Sequence, residues 1–323
     1  MFDFIGKKRI WFTVSLVILL IGCYFWATKG LNVGIDFRGG SILDLRFEQP
    51  ATIAQVREVL SRNGFGDSSV QAIGSDGREF LMRTLHMPED VRQKVYADFR
   101  ATLGEFAEIR FEGVSPVVGR ELVMMAIWAT AIAIVGMLIY VTIRFEYRFA
   151  VAGVIALVHD VLVTIGFFAV FRLTVDSTFI AAILTVIGYS INDTIVIYDR
   201  IREKLKTRKK GESLDALANQ SINETMRRSI LTSLTTVAAI ASLLFLGGVT
   251  IRPFTIALIV GMVSGTYSTV FIASPIWTTW RNWEERRNSE RHRNFVAERE
   301  ASKAVPAKPA NKPSKKSKSG KNR

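Results

Sequence analysis

Three polar clusters sit where a hydrocarbon environment would penalise them. His159 and Asp160 interrupt an apolar run over about 149–171, and Asn192 and Asp193 interrupt a second over about 177–199. Arg227 and Arg228 open a third at 229–247. A carboxylate inside a membrane span costs roughly 2.5–3.5 kcal/mol on insertion scales, which makes it a functional-site candidate by default. At ~1.5 Å per helical residue, Asp160 falls near mid-bilayer and Asp193 roughly 9 Å from one end of its run. Arg228 reaches a compatible depth, and the adjacent Arg227 is the alternative partner. A carboxylate paired with an arginine between helices changes its proton affinity when the helices separate. Such a group couples proton flow to movement, because linkage is reciprocal. The competing reading is a structural ion pair or polar pin between helices, with His159 satisfied inside the bundle.

Other reactive constellations are absent from the sequence. It contains no P-loop, no G-x-S-x-G and no Cys or His cluster with metal-ligand spacing. Gly39-Gly40 is too little for a nucleotide site. The reading is therefore not an enzyme, with no catalytic residues, no metal and no cofactor. Cys23 is the sole cysteine, which excludes an intrachain disulfide and suggests a small packing residue in the first apolar run. His86, alone before a helix, reads as a surface residue.

The elements that must position these groups are membrane spans. Of 323 residues, 49% are hydrophobic. Apolar runs near 10–27, 122–143, 149–171, 177–199, 229–247 and 254–277 are each long enough for a ~30 Å hydrocarbon core. The first follows Lys7, Lys8 and Arg9 and lacks a small-x-small cleavage site, so it reads as a retained helix rather than a signal peptide. Gly153, Gly166, Gly188, Gly261 and Gly265 read as close-contact packing positions.

Residues 31–121 are different. Strand, helix, strand, strand, helix and strand patterns follow at 41–47, 52–63, 70–73, 79–84, 88–103 and 106–111. This βαββαβ order predicts a small α+β ferredoxin-like extracytoplasmic domain between helices 1 and 2. The expected organisation is 1–30 for the cytoplasmic N-terminus and first helix, and 31–121 for the outer domain. Residues 122–280 then hold helices 2–6 with a cytoplasmic loop at 200–228, and 281–323 form a basic, disordered tail.

The net charge of +13 concentrates near the expected inner segments. Nine basic residues lie in 200–228, whereas the short outer joints hold only Arg172 and Arg252. The positive-inside rule then puts both termini in the cytoplasm and accounts for this charge without nucleic acid. Trp277, Trp280 and Trp283 are placed at the inner interface, and the polybasic tail would attract anionic lipid.

Several motifs identify a family. Val33-Gly-Ile-Asp-Phe-Arg-Gly-Gly40 resembles the signature that follows the first span of SecD/SecF proteins. Val186–Glu203, containing Gly-Tyr-Ser-Ile-Asn-Asp-Thr-Ile-Val, is similar to the fourth-span motif of the SecF branch. Ala156-Leu-Val-His-Asp-Val161 is similar to its third span, and Thr225-Met-Arg-Arg-Ser-Ile-Leu-Thr-Ser233 to the start of its fifth. The resemblance covers about residues 1–280. It implies a resistance–nodulation–division type fold in the bacterial inner membrane and proton-driven assistance to protein export. It also implies SecD, the SecYEG translocon, the translocating preprotein and YajC- or YidC-type accessory proteins as partners. By motif, Asp193 becomes the proton-relay aspartate and Arg228 its partner, with Asp160, His159, Asn192 and Arg227 in support. Gly34, Asp36, Phe37, Arg38, Gly39 and Gly40 form the motif at the outer face. Two other classes stay open: a small-molecule or lipid exporter of the same superfamily, and a non-transporting translocon scaffold.

The charge asymmetry makes a direct prediction. Impermeant thiol reagents should label a cysteine placed at Gly77 from outside the cell, but not one placed at Gly211 or Ser319. Labelling at Gly211 from outside would overturn the six-span topology.

Overall fold

The computed structural model describes residues 2–209 and 211–304. The chain begins with helix α1 (Lys8–Lys29), a two-residue strand β1 (Asn32–Val33) and a one-turn helix α2 (Ile35–Arg38). Then come β2 (Gly40–Phe47), α3 (Ile53–Arg62), β3 (Ser69–Ile73), β4 (Glu79–Thr84), α4 (Glu89–Leu103) and β5 (Phe106–Val114). Helices α5 (Pro116–Arg144) and α6 (Tyr147–Phe171) follow, then the short strand β6 (Thr174–Val175). Helices α7 (Ser177–Lys206), α8 (Leu214–Leu246) and α9 (Arg252–Ser268), a π-helical turn (Thr269–Ala273) and α10 (Ser274–Ala304) complete the order.

Six of these helical stretches are long and apolar enough to cross a membrane: α1, α5, α6, α7, α8 and the path Val249–Ala297. Even the shortest, 22 residues in α1, spans about 33 Å. The protein is a polytopic helical membrane protein. Large apolar side chains cover the outward faces, such as Leu16 and Leu20 of α1, Trp128 and Ile132 of α5, and Phe245 and Leu246 of α8. In water such faces would aggregate; in lipid they match their solvent. Cys23 belongs to this exposed surface rather than to a packed contact.

The segment from β2 to β5 folds in the order βαββαβ. Its sheet runs β3-β4-β2-β5 with every neighbouring pair antiparallel. Strand alternation sends Leu43, Leu45 and Phe47 into a core with Val56, Val59 and Leu60 of α3 and Val95 and Phe99 of α4. Thr52 and Gln55 close a reciprocal capping box that starts α3. The opposite sheet face carries Asp44, with Arg110 facing it across the β2–β5 ladder. The expected elements recur within a few residues, β5 running on to Val114. The sequence reading did not foresee β1, α2 or β6.

Three expectations need correction. The 200–228 connection, a polar stretch with helical character at Leu205, Leu214, Leu217 and Met226 in sequence, is two helix extensions rather than a loop, because α7 runs to Lys206 and α8 starts at Leu214. Glu224 zips the two extensions together by pairing with Arg200 and Lys204, above buried Ile201, Leu214 and Leu217. Trp277 is not an interfacial residue: it is fully buried, stacked on Phe149 at 4.6 Å. Residues 281–304 are helical rather than disordered, since no Gly or Pro interrupts 276–305 and Arg and Glu favour helix. The described residues divide into two compact units, one up to Thr278 and one from Thr279. The tail from 305, with its expected lipid contact, lies outside the described residues.

At the other end of the chain, the N-terminal turn is strapped to α8. The Phe4 and Ile5 amides both donate to Asn219 Oδ1, at 2.9 and 3.0 Å. Asn219 Nδ2 in turn donates to Asp3, and Asn223 exchanges two bonds with Phe2.

Asp44 yields a pH prediction. Burial, then the neighbouring Glu79, raises its carboxyl above the ordinary carboxylate range, against the opposing pull of Arg110. A raised pKa in the folded state means that folding is favoured by the proton. That contribution is complete below the unfolded value of about 3.9 and is lost as pH rises through the folded value. Fragment 40–114 should melt cooperatively, and Asp44→Asn should raise its midpoint at pH 7 but not at pH 3. An equal effect at both pH values would contradict the assignment.

Candidate functional site

The polar centre of the bundle is built by close backbone approach. Gly261 and Gly265 of α9 lie against Val186 and Ser190 of α7, where an added Cβ would collide with those side chains. Gly22 and Gly166 similarly bring the backbones of α1 and α6 into contact, and Gly153 of α6 packs on Ile191, Thr194 and Tyr198 of α7. These are small-residue contacts of the kind that lets membrane helices pack closely. Gly188 is not one of them, since nothing lies within 4 Å of a Cβ built there.

Close packing puts Asp160 among hydroxyls. The residue is 1% exposed. Its Oδ2 accepts from Ser190 of α7 and from Ser268 of α9, both at 2.8 Å, and its Oδ1 accepts from Ser264 of α9 at 2.7 Å. His159 Nδ1 lies 3.2 Å from the same Oδ1, while His159 Nε2 is buried without a partner among the described residues. One carboxyl group thus joins α6, α7 and α9. Thr194 of α7 meets Thr269, the first residue of the π turn, at 2.8 Å between hydroxyl oxygens. Single π turns inside α-helices recur at functional sites.

Asp193 sits one turn along α7 from Ser190 and faces α8. Its Oδ1 accepts from Ser229 at 2.6 Å. Its Oδ2 is buried and has no hydrogen-bond partner among the described residues. The expected ion pair with Arg228 is not formed: Arg228 is exposed, and Ser229 occupies the near side of the carboxylate instead. Arg227 is exposed as well. Asn192 is exposed on α7, in line with Ala181, Thr185 and Gly188.

The Gly34–Gly40 motif is placed at the opposite end of the same helix. Asp36 accepts from the Ser177 amide at 2.8 Å and from its hydroxyl, and β1 pairs with β6 immediately before α7. Gly39 and Gly40 have positive φ and no room for a side chain, against Pro116 and Thr84 respectively. Phe37 packs on the bundle core and Arg38 is exposed.

The structure therefore assembles Asp160, His159 and Asp193 into one polar belt and leaves Arg227, Arg228 and Asn192 at its edges. Sequence reasoning missed the belt's hydroxyls: Ser190, Ser229, Ser264, Ser268 and Thr269. Their signal was available in part. Gly261, Ser264, Gly265 and Ser268 recur at three- and four-residue spacing, one small face of an otherwise apolar helix.

A helix bundle of this kind, with titratable groups between its spans and a βαββαβ unit after its first helix, defines a multi-pass membrane protein. The family model for the protein export membrane protein SecD/SecF, C-terminal, matches residues 94–283, and the SecD/SecF GG motif matches residues 24–51. The chain belongs to the SecD/SecF family. The protein translocase subunit SecF of Acidaminococcus fermentans is 44% identical over 285 residues, covering 87% of this chain and 97% of the relative. That of Pseudomonas aeruginosa is 40% identical over 282 residues, covering 87% and 91%. The crystal structure of SecDF, a translocon-associated membrane protein from Thermus thermophilus, superposes with a TM-score of 0.78 at 35% identity. The match covers 87% of this chain and 39% of that one, so the chain spans about two-fifths of its length.

The hydroxyl ring around Asp160 can be tested by stability. Asp160→Ala leaves three buried hydroxyls without their acceptor, at a cost of about 1–3 kcal/mol for each that finds no other partner. Ser264→Ala removes one donor of three and should cost about 1 kcal/mol. Thermal melts of the full chain in detergent should rank the two variants in that order. Equal midpoints would remove Asp160 from the centre of the belt.

Proposed function

We propose that this chain is the SecF-type subunit of a proton-driven machine that assists SecYEG-mediated protein translocation across the bacterial inner membrane. The observation that carries the reading is Asp193, a carboxyl group held between membrane helices with one oxygen bonded to Ser229 and the other unpartnered. A buried polar atom left unsatisfied by its own fold needs an explanation, and a relay that exchanges a proton for an arginine supplies one. In this reading Arg228 swings from the helix edge onto Asp193 Oδ2 in one state and releases it in another. Asp160 and its serines hold α6, α7 and α9 in register, so that these three helices shift together relative to α8. One charge crossing ~100 mV contributes about 2.3 kcal/mol, several times RT, before any pH gradient is added.

The βαββαβ unit is a ferredoxin-like domain on the extracytoplasmic side, where the charge asymmetry puts it, with both termini in the cytoplasm. It meets the emerging preprotein. SecD supplies the second set of spans and packs on the exposed stripe Ala181, Thr185, Gly188 and Asn192 of α7. That stripe is small and polar, and among the described residues it lacks a packing partner at Gly188. SecYEG and YajC- or YidC-type proteins complete the assembly, and the basic tail meets anionic lipid.

Asp193→Asn keeps the volume but cannot titrate. With SecD present and normal expression, it should abolish proton-motive stimulation of preprotein export, while Asp193→Glu keeps part of it. Arg228→Lys should be milder than Arg228→Met, because charge survives without the guanidinium fork. Full proton-motive dependence in Asp193→Asn would leave the scaffold reading in its place.

A further inference from the structure

The segment between α1 and the βαββαβ unit bonds to α7, far away in sequence, rather than only to its chain neighbours. Asp36 and Ser177 are 141 residues apart, yet the carboxylate takes both the amide and the hydroxyl of Ser177. The Gly34 amide donates to Val175 O at 2.8 Å. Asn32 and Val33 pair in parallel with Thr174 and Val175. Helix α7 already has a local cap, because Asp176 accepts from the Phe179 amide at 3.0 Å. A second carboxylate brought from the motif is more than helix formation requires.

The other side of the segment is equally tight. A Cβ at Gly39 would collide with the Pro116 backbone, one at Gly40 with Thr84 O, and one at Gly119 would press on Phe37 O and Gly39 N. Helix α2 is therefore wedged between the start of α7, the start of α5 and the end of β4. From Gly40 the chain enters β2, a central strand of the sheet, without any linker. This is a packed bend rather than a flexible tether, so a displacement at one end is not absorbed within it.

We infer that Gly34–Gly40 is a rigid strap fastened by Asp36, which transmits displacement of α7 to the βαββαβ unit. Asp36 is a positioning residue for the relay: α7 carries Ser190, Asp193 and Thr194, and the strap holds its outer turn. This inference rests on the proton-relay reading of Asp193.

The test uses the full chain in lipid nanodiscs, with Cys23→Ser and spin labels at Lys94→Cys and Val249→Cys. Pulsed electron paramagnetic resonance then reports the distance between the βαββαβ unit and the α8–α9 joint. With Asp36 intact, Asp193→Asn, a mimic of the protonated state, should shift that distance by about 1–2 Å or more, the scale of helix shifts in switching proteins. In Asp36→Ala the shift should disappear, although the distance distribution between the labels at 94 and 249 stays narrow. Asp36→Asn keeps an acceptor for Ser177 and should retain part of the shift, and it serves if Asp36→Ala fails to fold. A full shift in Asp36→Ala, or in folded Asp36→Asn equal to that of the parent, overturns the strap while leaving the relay standing. No shift even with Asp36 intact overturns both.

Discussion

Everything in the membrane part of this protein depends on the hydrogen bonds that close on Asp160. Lipid offers no donor, so a carboxylate there must be satisfied by the protein or it will not stay. Three serines on two other helices do this. Because each hydroxyl has to reach the same group, the arrangement fixes rotation and depth of α6, α7 and α9 together. Apolar contacts alone would not, since helix–lipid and helix–helix contacts are nearly equivalent. The glycines at 261 and 265 serve this geometry: they bring α9 near enough to α7 for Ser264 and Ser268 to reach Asp160.

Helix α7 is held at both ends and incompletely satisfied in the middle. At one end Asp36 and Asp176 hold its first turn. Arg172, in a left-handed conformation, donates to the last carbonyls of α1 at Lys29 and Gly30. At the other end Arg200 and Lys204 are tied to Glu224 of α8, and α8 in turn holds the N-terminal turn through Asn219 and Asn223. Between these anchors Asp193 has one bonded and one unbonded oxygen. A satisfied frame around one unsatisfied group localises where a proton or an arginine can change the energy of the bundle. Proximity of Ser229 rather than Arg228 means that the exposed arginine is available to move, its side chain not being committed to another acid among the described residues.

The βαββαβ unit reflects another division of labour. Its helix-covered face is a closed apolar core, with Phe47 edge-on to Phe80, Phe99 and Phe106. Its other face is charged and carries the half-buried Asp44. The core closes the unit on itself, and Gly34–Gly40 attaches it to the start of α7.

The six long apolar runs, the βαββαβ order and the placement of Asp160 and Asp193 inside apolar runs are legible in the sequence alone. These follow from periodicity and from the length of hydrocarbon a helix must cross, both local properties. The family is legible there too, because the motifs at 33–40, 156–161, 186–203 and 225–233 are contiguous. Which groups meet is settled by the packing of whole helices. Arg228 stands at the right depth for Asp193, but depth leaves helix rotation free, and packing turned Ser229 inward instead. Asp160 looked subsidiary because its three partners lie 30, 104 and 108 residues away. The same reason hid Asp36 on Ser177 and Trp277 in the core: hydropathy reports how buried a side chain tends to be, whereas partner identity is set by how whole helices pack.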